Sequence, residues 1–361
     1  MRRRSLFPVV ALSSWLGACD LSHAAAPRRT EARAEVSAQS QASGDKASTA
    51  TGDKGRLVWF EGACDASGAV PLDEQRFIVA DDEDNVLRVY DADRGGAPLM
   101  RIDVSPKLAL RKQKDPESDI EGATRVGDVA FFITSHGRTR KGKRDPDRFL
   151  FFATELPRSG PEVHVHGQPY RRLLEDMLAD PKLAPFELER AAELAPKEPG
   201  GMNIEGLTAA PDGSLWIGFR SPVREGRALV VRLENPKEVL AGKPARFSSV
   251  HRLDLGGLGI RALSSHRGSY LIAAGPTGEG GPFRLYRWDG AGQPKAIERM
   301  DLGDLTPEGF FTPEERDSVL VLSDDGKVEI DGRACKKLKD PSRKRFRGVW
   351  LKLPDHAGPG R

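Results

Sequence analysis

"IEGATRVGDVAFFITSHGR", Ile120–Arg138, is written again as "IEGLTAAPDGSLWIGFRSP", Ile204–Pro222. In both, an apolar residue and Glu-Gly lead into a polar hairpin, a hydrophobic run and a loop carrying charge. The unit occurs five times, starting at Phe60 ("FEGACDASG"), Ile120, Ile204, Ile260 ("IRALSSHRG") and Pro307 ("PEGFFTPEER"). A β-branched or aromatic run follows each start, such as "RFIVADDED", "SYLIAAGPTG" or "SVLVLSDDG", and a third run usually comes next, as in "VLRVYDA" and "ALVVRLEN". Short runs of this kind between turn signals read as strands. Self-similarity at roughly 50–60 residues, with four strands per unit, predicts a β-propeller.

Outward from the repeats, "GRLVWF" precedes the first and "FRGVWLKL" follows the last. Neither completes a blade of its own. Pairing the first into the last blade would close the ring and cover the open sheet edges. Five blades are expected. Six remain the alternative, because the interval from Glu121 to Glu205 is longer than the others. Much of that interval reads as a helical insertion over about 168–198: in "YRRLLEDMLADP", Leu173, Leu174, Met177 and Leu178 fall at helical spacing. The predicted class is all-β, with the propeller over 56–353 and a disordered tail over 354–361.

The N-terminus carries an export signal. "MRRR" is a positive segment, "LFPVVALSSWLGA" is apolar but too short to span a bilayer, and "LGAC" ends at Cys19. The pattern resembles a bacterial lipobox. Residues 1–18 are then a lipoprotein signal peptide and Cys19 the lipidated first residue, with cleavage after "HAAA" as the alternative. Residues 19–55 lack aromatics and are rich in Ala, Ser, Thr and charge, so they are expected to be a flexible tether. Its end-to-end distance would be roughly 30 Å. The expected location is the bacterial cell envelope, lipid-anchored, facing the periplasm or the cell surface. The formal charge of +3 is supplied by Arg2, Arg3 and Arg4 alone. No basic stripe interleaved with aromatics marks a nucleic-acid partner, and a monomer is expected.

Several phrases match a known pattern in order: "FEGACDASG…VADDEDNVLRVYD", "DIEGATRVGDVAFFITSHGRTRKGK", "NIEGLTAAPDGSLWIGFRSPVREG", "GGLGIRALS" and "AAGPTGEGGPFRLYRW". They resemble the bacterial family known as domain of unknown function 3616, which is propeller-like. The Glu-Gly strands are more distantly similar to esterase-like phytase propellers. The resemblance implies architecture and carries over no catalytic residues.

In a propeller the start of each inner strand and the end of the second strand meet at one channel mouth. Glu61, Glu121, Glu205 and Glu308, with Arg261, hold the same place in the repeat, so a ring is expected. Asp81, Asp82, His136, Arg138, Arg220, Asp324 and Asp325 should surround it. The Gly after each Glu would let backbones crowd at the centre. So many carboxylates cannot all ionise without counter-charge. Three roles stay open. The Glu residues could latch blades together, or they could hold Ca²⁺ or another hard divalent cation as metal ligands. The third is catalysis, with His136, Arg138 and Arg220 as candidates.

No phosphate-binding loop, serine-hydrolase elbow or zinc-protease motif occurs. Two functions are therefore weighed: binding of a small molecule or protein at the mouth, and metal- or carboxylate-dependent hydrolysis of esters or phosphoesters. Whether the chain is an enzyme stays open. If Cys19 is lipidated, Cys64 and Cys335 form an even pair in an exported chain, and a disulfide joining the first blade to the last is expected.

Overall fold

A computed structural model describes residues 55–354, apart from 112–116, 158–159, 161–162 and 299. The signal peptide, Cys19, the tether as far as residue 54 and the tail beyond 354 lie outside the described residues. No helix among the described residues is long and apolar enough to cross a membrane.

Five antiparallel sheets form a five-bladed propeller. From the channel outward, blade 1 contains Gly68–Pro71, Arg76–Ala80, Val86–Asp91 and Met100–Asp103. Blade 2 contains Ile120–Val126, Val129–Thr134 and Phe151–Glu155. Blade 3 runs Asn203–Ala209, Leu215–Ser221, Arg227–Leu233 and Phe247–Asp254; blade 4 runs Gly259–His266, Ser269–Gly275, Arg284–Trp288 and Lys295–Ala296. Blade 5 combines Pro307–Phe311, Ser318–Ser323 and Arg345–Lys352 with Arg56–Glu61 from the other end of the chain. The expected closure is therefore made, with Arg56 opposite Trp350 and Glu61 opposite Arg345.

The strands read as apolar on both faces because each blade is sandwiched between two others. In Val129–Thr134, Phe131 and Ile133 pack on the side of blade 3, while Ala130 and Phe132 pack on the side of blade 1. Alternation of period two sends consecutive side chains to opposite seams. Each buried phenylalanine contributes about 2–3 kcal/mol from removal of apolar area. The closing seam is aromatic: Phe60 stacks on Phe346 at 5.1 Å, and Phe77 stacks on Phe311 at 4.9 Å.

The long interval between blades 2 and 3 holds an insertion, not a sixth blade. Its helices are Leu173–Ala179 and Leu188–Glu193. Leu173, Leu174, Met177 and Leu188 are buried in the core shared with blades 2 and 3. Leu178 was expected on the same face but is 41% exposed. The helix is only seven residues long and presents one narrow stripe, which Met177 already completes.

Candidate functional site

The ring position is a β-bulge. In blades 2, 3, 4 and 5 the strand register skips one inner-strand residue: Glu121, Glu205, Arg261 and Glu308. A bulge adds a residue to one strand and re-aims its side chain. All four side chains are buried. The glycine that follows in blades 2, 3 and 5 faces the next blade. A Cβ on Gly122 would come 3.0 Å from Leu207 Cβ, one on Gly206 3.1 Å from Leu263 Cβ, and one on Gly309 2.7 Å from the Ala66 carbonyl oxygen. Gly309→Ala is expected to cost about 1–3 kcal/mol, because it presses on backbone rather than on a movable side chain. Chemical denaturation would check this, and an unchanged midpoint would mean that the seam yields freely.

Glu61 does not join this ring. It ends the outermost strand of blade 5 and is exposed. Ser67, directly before Gly68 at the start of blade 1's inner strand, takes the corresponding place. The "FEG" phrase matches the other starts in letters but lies on the closing strand, six residues too early.

Arg261 binds two members of the ring. Its Nε lies 3.0 Å from Glu205 Oε2, and its Nη2 pairs with Glu308 Oε1. Arg220 Nη1 donates to Glu205 Oε1 at 2.8 Å, Nε to the Pro276 carbonyl and Nη2 to the Gly278 carbonyl. Asn203 Nδ2 donates to the same Glu205 oxygen at 2.6 Å. Glu205 is thus held between two guanidinium groups and an amide. Glu121 has no hydrogen bond or ion pair among the described residues, and its pKa is raised well above the usual carboxylate range. Burial is the main cause, followed by Glu205, Asp119 and Asp82.

Further carboxylates converge from positions that the repeat pattern did not single out. Asp65 and Asp119 stand two residues before the ring position, like Asn203 in blade 3. The polar residue two places ahead, in "DIEG", "NIEG" and "DASG", was the available signal. Carboxylate oxygens of Asp65, Glu308 and Asp324 lie within 4.8 Å of one another, and so do those of Asp82, Asp119 and Glu121. Asp65 is 4% exposed, yet its Oδ1 has no hydrogen-bond partner, and neither has Asp82 Oδ1. Burial drives Asp65 well up, reinforced by Asp324, Asp82, Asp81 and Glu121. Asp82 rises for the same reason, reinforced by Asp81, Asp119 and Asp324. Asp119 is raised by burial to about 6 despite Arg148, whose Nη2 lies 2.5 Å away.

Other expected members serve the scaffold. Asp325 accepts from Arg347 at 2.8 Å and from Ser323 Oγ at 2.9 Å. Asp81 accepts from the Glu83 amide and lies 4.0 Å from Arg88. Arg138 ties its loop to the insertion by donating to the Ala192 carbonyl. Across the rim, Glu279 meets Lys197, Arg140 and Lys327 at 2.8–3.4 Å, and its carboxyl is pushed down to about 2, chiefly by Lys197. These are exposed pairs that add little stability.

His136 is fully buried, donates from Nδ1 to the Thr134 carbonyl, and has a pKa lowered by burial to about 4. Unfolded, it takes up a proton near pH 6.5; folded, only near pH 4. Its contribution is therefore intact above pH 6.5 and is lost as pH falls toward 4. Asparagine tolerates the left-handed backbone at this position (φ 50°). Wild type should lose about 2 kcal/mol relative to His136→Asn between pH 7 and pH 5. Parallel pH–stability curves for the two proteins would refute the assignment.

At the ring the channel narrows to a void of about 10 Å³ lined by Ser67, Glu205, Leu207, Glu308 and Gly309. The opposite mouth widens to about 920 Å³. The acidic site is thus approached from its own mouth.

No curated protein sequence matches the chain. Among solved structures, the fold is similar to PQQ-bound aldose sugar dehydrogenase from Streptomyces coelicolor (14% identity, TM-score 0.39), covering 83% of this chain and 99% of that one. It is also similar to glutaminyl cyclase from Myxococcus xanthus (11%, TM-score 0.42, covering 84% and 97%). A third is a gluconolactonase from Xanthomonas campestris (10%, TM-score 0.40, covering 83% and 90%). These likenesses concern the fold alone. Residues 162–306, which carry the insertion and blades 3 and 4, match the model of the family described as "Protein of unknown function (DUF3616)", the family that the sequence phrases resemble.

Proposed function

We propose that this chain is an exported propeller, held at a membrane by a lipid on Cys19. Its acidic mouth takes up a hard divalent cation of the Ca²⁺ class and, through it, a small oxygen-bearing ligand. One observation carries the cation: Asp65 Oδ1 is buried, unpartnered and surrounded by other carboxylates. A buried charge without a counter-charge costs several kcal/mol, and an ion removes that cost. The donors are all carboxylate oxygens, with no thiolate or imidazole, which favours Ca²⁺, Mg²⁺ or Mn²⁺ over softer metals.

Binding is preferred to hydrolysis as the function because Arg220, the natural anchor for a reacting phosphate, is already engaged at all three nitrogens. His136, the candidate base, is fully buried. Chelator-stripped protein should gain stability with added Ca²⁺, by about 2.7 kcal/mol at a hundredfold excess over Kd. Thermal unfolding with and without each of the three cations is the test, and an unchanged midpoint in all three sinks the proposal. Release of the protein from membranes by Cys19→Ser would test the anchor separately.

A further inference from the structure

Each blade brings its chain to the mouth twice, once just before the inner strand and once just after the second strand. At the seam between blades 5 and 1, these segments supply Asp324 and Asp65; the Asp325 amide donates to the Cys64 carbonyl across the seam at 2.9 Å. At the seam between blades 1 and 2 they supply Asp82 and Asp119. At the next two seams the Ile204 amide donates to the Ser135 carbonyl at 2.9 Å, beside Asn203, and Gly259 lies against the Arg220 backbone. The paired aspartates thus recur at two consecutive seams, and each pair is joined by one ring glutamate, Glu308 or Glu121. No residue belongs to both groups.

We infer that the mouth holds two hard divalent cations, one at each seam of blade 1, an inference that rests on the cation-binding function proposed above. Three oxygens within 4.8 Å of one another suit an ion at 2.3–2.6 Å from each. A single ion at one seam would leave two of the other seam's three carboxylates without a cation: Asp82 and Glu121, or Asp65 and Asp324. Each seam also carries its own unpartnered buried oxygen, Asp65 Oδ1 at one and Asp82 Oδ1 at the other.

The cations lie on the side of blades 5, 1 and 2, whereas the guanidinium groups of Arg220 and Arg261 belong to blades 3 and 4. A guanidinium group borders each site all the same: Arg261 pairs with Glu308 at one and Arg148 with Asp119 at the other.

Ca²⁺ titration of the stripped full chain by calorimetry, with bound metal counted by elemental analysis, decides the number. Two ions per chain are expected, one after Asp82→Asn, one after Asp324→Asn, and none in the double variant. One ion in wild type overturns the two-site inference and leaves cation binding standing. No ion overturns both. Asp82 Oδ1 makes no hydrogen bond, so Asp82→Asn keeps the fold's own contacts. If a variant fails to fold by near-ultraviolet dichroism, the wild-type stoichiometry alone decides, and any value but two rejects the inference.

Discussion

Arg261→Met is expected to destabilise the protein by about 3–5 kcal/mol, the cost of leaving buried charges without their partner. Arg261 is 5% exposed and bridges Glu205 and Glu308 across two seams. Its loss leaves Glu308 beside Asp65 and Asp324 with no protein cation, while Glu205 keeps Arg220. Arg261→Lys should recover only part of the loss, since one ammonium cannot serve two carboxylates with the geometry of a guanidinium. Urea unfolding of the metal-free proteins measures this. A cost below about 1 kcal/mol would mean that the ring's charge is balanced elsewhere. Added Ca²⁺ should narrow the gap, because the ion proposed beside Asp65 and Asp324 supplies charge to Glu308.

Replacing Cys64 and Cys335 together with serine is expected to cost about 5 kcal/mol in the chain-entropy model. The expected bridge is present and closes a loop with a sequence separation of 271, the long-loop case in which the model assigns the largest gain. The bridge also sits beside Asp65, so Ca²⁺ affinity should weaken along with stability. Reduction of the wild type by dithiothreitol in mild urea should reproduce both effects. Unchanged stability in the double variant would place the closure energy in the aromatic seam of Phe60, Phe77, Phe311 and Phe346 instead.

The repeated Glu-Gly phrase was enough for the blades and the common mouth, and "GRLVWF" with "FRGVWLKL" for the closing strand, because strand alternation and the bulge are local properties of the chain. It failed at Glu61. There the letters "FEG" obey the pattern, but the chain uses them to finish blade 5 and begins blade 1 at Ser67-Gly68. Asp65 and Asp119 were missed for a different reason. A lone aspartate before a strand reads as a turn residue, and only neighbouring blades bring it against Asp324 or Asp82. Conversely, Asp81 and Asp325 looked equivalent to Asp82 and Asp324. Which of two adjacent acids turns to the mouth depends on Arg88 and Arg347, third-strand residues whose phrases do not show which acid they hold.

The closing strand has a temporal consequence. Arg56–Glu61 has only a short parallel bridge at Phe60–Gly96 and contacts to Tyr90 and Asp93 until Arg345–Lys352 exists, so the first described strand to be made is the last to gain its ladder. Until then its Val58, Trp59 and Phe60 lack a ladder partner, and the contacts that complete it have almost the greatest sequence separation the domain allows. Such contacts are slow to form, since loop closure must precede any gain from pairing. Blades 1 to 4 each consist of consecutive segments, leaving the ring to wait, nearly complete, for its two ends to meet.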